Sequence, residues 1–280
     1  MPGPLAVFFP LGRRFGRRLA LTYALTLAEY GFRLLYPVTI GHAIDRLLAR
    51  EPSGLLPLLA VWVAHIVVGL GRHLYDTRVF TLIYNELIDA TVARQRALGT
   101  PAEVIASRVA LSRELVDFVQ VDVPAAMSFL VLFAGSVAML FAYDPVIGVY
   151  ALAALIPIAL GDGWFARTSA RLNAALNDRL EREVAIVTRQ DLPAIARHLR
   201  RVRRWRIRIS NAEAGAWGLI DVAVLALTVA ALLRLTGGPG ATPGVIYAVL
   251  AYVWDYYEGV GALPNVTRSV TRVRDIALRL

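Results

Sequence analysis

The sequence contains no lysine: all 30 of its residues counted as lysine or arginine are arginine, beside 21 acids and 4 histidines. A phosphate-cradling P-loop places a lysine on the nucleotide phosphates, so that route to ATP hydrolysis is excluded for these residues. Cysteine is absent as well, which rules out disulfides, thiolate metal sites and cysteine nucleophiles. His42, His65, His73 and His198 are too scattered to gather metal ligands, and His65 reads as a packed core histidine rather than a proton relay. The start, Met1 to Leu11, is short and proline-broken, with arginines after it rather than before, unlike a cleaved leader. Charge is sparse too, at 18% of residues, where about 25% is usual in soluble domains. Hydrophobic residues make up 57%, against a usual ~45–50%, so the composition is that of a membrane protein.

The apolar residues come in runs. Ala125 to Tyr143 holds no charge, and at ~1.5 Å per residue it is long enough to cross a ~30 Å hydrocarbon core. Asp144-Pro145 breaks the run, which resumes at Val146, so the pair reads as a membrane hairpin. Twelve arginines follow between Arg167 and Arg208. By the positive-inside rule this basic segment is cytoplasmic and the Asp144 tip faces outward.

The remaining elements orient from that hairpin. The chain is expected to form one six-span transmembrane domain over 1–280, with an amphipathic elbow at about 5–18. Spans are expected at about 19–44, 55–75, 124–143, 146–163, 212–235 and 244–263, and helical cytoplasmic arms at about 76–123 and 164–211. In the first arm Tyr75, Val79, Leu82, Ile83 and Leu87 recur at helical steps. Turns are expected at Thr100-Pro101 and near Asp191-Leu192-Pro193, and the Gly237 to Pro243 stretch is an outer loop by composition. Outer loops hold only Arg46 and Arg50, with Arg234 at a span end. The expected location is therefore the inner membrane, multi-pass, with both termini cytoplasmic.

Three short outer connections and two long helical inner ones make the chain resemble the six-helix transmembrane domain of an ATP-binding-cassette exporter. The resemblance is carried by Leu35-Tyr36-Pro37 through Ile44-Asp45, by Ala102 to Arg108, by Asp144-Pro145 with Pro157, and by Ser269 to Ile276. It departs from the family pattern at Ala102, where glycine is common, at Ser112, where aspartate is common, and in the second inner arm at Thr188 to Leu199. The resemblance implies an all-α integral membrane fold, a domain-swapped dimer (homodimer or heterodimer) and alternating access. An exporter of this family would begin its nucleotide-binding domain at about residue 280, and the expectation is that this chain lacks one. The expectation is that this chain is not itself an enzyme, binds no cofactor, and takes its energy from a separate ATPase subunit docked near Pro101, Glu103, Asp191 and Pro193.

Ionisable residues inside spans are costly unless they face a cavity or a partner. Glu29 and Arg33 stand four apart on one face and can form an internal ion pair, or they can line the pathway. Asp221, Asp255 and Glu258 fall at similar middle depths, accompanied by Trp217, Tyr252 and Tyr256. Carboxylates beside aromatic faces suit a cation or a coupled proton. The alternative is that the aromatics pack between helices and the acids bond to neighbouring groups. The run Arg197 to Arg208 is rich enough in arginine for nucleic acid. Its place between two spans instead favours topology and anionic membrane lipid, so no nucleic-acid partner is expected.

Three functions are open at this point. The first is an exporter-type transmembrane transporter domain, moving a small or amphipathic substrate with a separate ATPase. The second is a proton-driven carrier of the same fold, and the third is a membrane scaffold subunit that transports nothing.

Overall fold

The computed structural model describes residues 8–181, 183–188, 192–238 and 240–279, with side chains from within 14–261. Among these residues every regular element is helical: α1 (Phe8–Leu34), α2 (Tyr36–Leu48), α3 (Leu55–Ala97), α4 (Ala102–Asp117), α5 (Val123–Tyr143), α6 (Pro145–Leu180), α7 (Glu183–Thr188), α8 (Leu192–Thr236) and α9 (Pro243–Arg279). A short 3-10 turn, Pro52–Gly54, precedes α3, and a π-turn, Phe118–Asp122, joins α4 to α5.

Among the described residues, four helical stretches are long and apolar enough to cross a membrane: Pro52–Ala97, Ala102–Tyr143, Pro145–Leu180 and Leu192–Thr236. Residues α1 and α9 contribute to the other two expected spans carry Glu29, Arg33, Asp255 and Glu258. Helix α3 has 43 residues and α8 has 45. At ~1.5 Å per residue each is roughly 65 Å long, about twice the hydrocarbon thickness.

Local sequence explains the breaks. The residues read as a single span over 19–44 form two helices, because Pro37 has no N–H to continue the ladder. The Leu35 N–H instead closes a tighter bond to the Phe32 carbonyl (3.0 Å), and α2 restarts at once. At the other end of the hairpin read at Asp144, that residue is extended and its carboxylate accepts the Val146 N–H (2.8 Å), with Pro145 in the first turn of α6. The turn between α3 and α4 depends on Gly99, whose positive φ (66°) suits glycine. Thr100 ties it down by donating from its backbone and side chain to the buried Gln95.

The chain divides into two compact units, Met1–Met139 with Gly240–Leu280, and Leu140–Pro239. In the first, α1 packs on α3, α2 on α9, and α3 on α4. One core cluster joins Phe15 of α1, Val79, Phe80 and Ile83 of α3, and Leu115, Val116 and Val119 of the α4 segment and π-turn. Tyr75, Leu82 and Leu87 pack against this cluster, completing the helical stripe seen in the sequence. In the second unit α6 packs along α8. The buried face of α8 runs through Ala212, Ala216, Ile220, Val224, Leu227 and Ala231, at the three- and four-residue steps of a single helix face.

Candidate functional site

Within the first unit, residue numbers rise along α1 while those they meet fall along α3, as antiparallel helices require. Arg14, near the start of α1, pairs with Glu86 of α3 at 2.5 Å. Further along, the Glu29 carboxylate accepts the Arg72 guanidinium, and Arg72 also holds Asp76 at 3.0 Å. Beyond Glu29 come His65, whose Nε2 lies 3.9 Å from the carboxylate, and Tyr36, which hydrogen-bonds His65 Nδ1 and stacks on Trp62. Asp76, Arg72, Glu29, His65 and Tyr36 thus form a continuous polar line in an apolar helix interface. Glu29 and Arg72 expose only 17% and 21% of their side chains, so their charges are largely neutralised by each other and not by water.

The expected Glu29 to Arg33 pair does not form. Arg33 turns to α9, where its guanidinium lies 3.8 Å from Glu258. Helix α9 sorts its residues by face. Tyr252 and Tyr256, read as pathway residues, are fully buried: Tyr252 donates to the Leu34 carbonyl (2.8 Å) and Tyr256 stacks on Phe133 of α5. These two tyrosines are packing residues of the unit's core. Trp254 and Glu258 are exposed on the other side, Asp255 is half-buried, and Trp254 lies against Tyr257 with ring centres 5.6 Å apart.

Asp221 and Trp217 are exposed on α8 and belong to the second unit, whereas Asp255 and Glu258 belong to the first. Of the acids expected at middle depth, only Asp255 and Glu258 therefore share a unit. Of the docking residues, Pro101 caps α4 with Glu103 in its first turn, and Pro193 is in the first turn of α8. Asp191 lies outside the described residues.

Other roles are not evident from residue type alone. The Asp45 carboxylate reaches across from α2 to accept the Thr242 hydroxyl (2.6 Å) and the Gly244 N–H (2.8 Å), so it caps α9 from another helix. Below this cap α2 and α9 touch backbone to backbone: a Cβ on Gly41 would sit 2.4 Å from the Gly244 oxygen. In the second unit Asp144 accepts from Arg234 at the end of α8 (2.9 Å). Partial desolvation alone would raise the pKa of Asp144, but the Val146 N–H and the Arg234 guanidinium outweigh it and hold the carboxyl below its ordinary value. One signal for the α1 to α3 pairing was present in the sequence: Glu29 and Arg72 lie almost equally far from the loop at Arg50 to Gly54, the registry of a helical hairpin.

The family described as ABC transporter transmembrane region matches residues 10–244, from the first turns of α1 to the start of α9. The chain belongs to this family. No curated protein matches it. As an ABC transporter transmembrane region it is a membrane transport domain, of a class that generally dimerises and pairs with ATPase subunits. The match takes in the α1 to α3 polar line, the Pro101 turn and the arginine-rich part of α8. The acids of α9 lie beyond it.

Proposed function

We propose that this ABC transporter transmembrane region is one half of a transporter of exporter type. It has six spans, its dimer exchanges helices between copies, and it moves a small or amphipathic substrate by alternating access with energy from a separate ATPase. The observation that carries this reading is the length of α3 and α8, 43 and 45 residues, which leaves each with a rod well beyond the bilayer. Such rods give a soluble motor a lever on the spans. The docking points are the turn at Pro101 and Glu103 and the segment at Asp191 and Pro193. Both termini and both arms lie on the cytoplasmic side, since the arginines concentrate there.

Proton-driven transport is a second reading, favoured by the placement of His65 against both Tyr36 and the Glu29 carboxylate. Flux measured in proteoliposomes separates the two. Dependence on internal ATP and an added ATPase subunit supports the first reading, and flux that follows an imposed pH gradient without ATP supports the second.

A further inference from the structure

Where α3 and α4 pack together, Phe80, Thr81 and Tyr84 of α3 face Arg113, Val116 and Asp117 of α4 across a groove of about 210 Å³ within the first unit. On each helix the residues recur at the spacing of a single face. Phe80 and Val116 are the apolar floor, only 2% and 4% exposed, and both belong to the core cluster, which holds the two walls at a fixed separation. Above the floor the lining turns polar: Thr81, Arg113 and Asp117 are exposed and Tyr84 is half-buried. None of these four side chains hydrogen-bonds or pairs with another described residue. Arg113 and Asp117 stand one turn apart on α4, near enough for an ion pair, but in the less favourable order with the cation first. One free cation, one free anion and two free hydroxyls therefore surround an apolar floor.

We propose that this groove binds a small zwitterion of amino-acid size, with its carboxylate on Arg113 and its ammonium on Asp117. The guanidinium gives two parallel N–H bonds to a carboxylate, and the ammonium donates to the Asp117 carboxylate. The Thr81 and Tyr84 hydroxyls can donate to one end of the ligand or accept from the other, and an aliphatic side chain covers Phe80 and Val116. A simple anion is repelled by Asp117 and a simple cation by Arg113, so charge complementarity favours a ligand that carries both signs. The volume excludes larger molecules, since pockets for drug-sized ligands run to ~300–1,000 Å³. The site uses no residue of the α1 to α3 polar line and is independent of how transport is energised.

The test is thermal unfolding of the full chain in mild detergent, titrated with three probes of similar shape: L-leucine, isocaproate, which lacks the ammonium, and isoamylamine, which lacks the carboxylate. Leucine raises the melting temperature saturably, at concentrations roughly tenfold or more below either analogue, because each analogue forfeits a hydrogen bond to a charged group. Arg113→Gln removes the preference for leucine over isoamylamine, and Asp117→Asn removes the preference over isocaproate. Both residues are exposed, so the ligand-free variants should melt with the wild type; if either does not, the comparison of the three probes on the wild-type chain still decides. No saturable gain with leucine, equal gains with leucine and either analogue, or folded variants that keep both preferences would overturn the site.

Discussion

Glu29 takes its counter-ion from Arg72 on α3, across a helix interface, and not from Arg33 one turn along its own helix. The pair fixes the register of α1 on α3 in a largely buried interface, where an unpaired charge is costly. Replacing either partner alone with glutamine leaves the other charge unmatched, with an expected loss of about 3 kcal/mol of stability. The double variant E29Q/R72Q recovers much of that loss, because neither charge remains. Thermal unfolding in detergent measures all three, and single variants that melt with the wild type contradict the pairing.

Two glycines in the same unit predict opposite outcomes. A Cβ on Gly41 meets the Gly244 oxygen at 2.4 Å, whereas one on Gly31 meets nothing within 4 Å. Gly41→Ala therefore forces α2 and α9 apart, at a cost of about 1–3 kcal/mol. Gly31→Ala, at an open helix position, is neutral or stabilising by up to ~1 kcal/mol. Equal melting temperatures for the two variants would argue against the close crossing.

The Asp144 to Arg234 contact predicts a pH dependence with a definite sign. The Asp144 carboxyl is held below its ordinary value of 3.8, so its contribution to stability is complete above that value and is lost as pH falls through the lower folded-state value. Between pH 6 and pH 3 the wild type should lose more stability than Arg234→Gln, which lacks part of the stabilisation from the start. Parallel acid melting curves for the two proteins count against the contact.

What the sequence made legible was decided by local chemistry. The charge-free run to Tyr143, the Asp144-Pro145 cap and the stripe through Val79 and Ile83 each depend on near neighbours, and the folded chain uses them as helix, cap and core. The facing of α9 was not legible, because alternate aromatic and acidic residues such as Tyr252, Asp255 and Tyr256 are compatible with either side of the helix until a neighbour is placed. Partner choice was hidden for the same reason. Asp45 caps a helix that begins almost 200 residues later (197 to Thr242), and no periodicity signals so distant a bond.

The proposed docking at Glu103 and Asp191 predicts charge-reversal phenotypes. Glu103→Arg, in the first turn of α4, and Asp191→Arg should abolish association with an ATPase subunit while the melting temperature stays at wild type. Association that survives both substitutions removes these turns as the docking points.

The central claim, that this ABC transporter transmembrane region works with a separate motor, is tested most directly by purifying the chain from its native membranes in mild detergent and measuring both composition and ATP hydrolysis. The account predicts a complex holding two transmembrane chains and an ATP-hydrolysing subunit, with hydrolysis that disappears in Glu103→Arg. A chain that purifies without any ATPase, and whose flux follows a proton gradient alone, would contradict it.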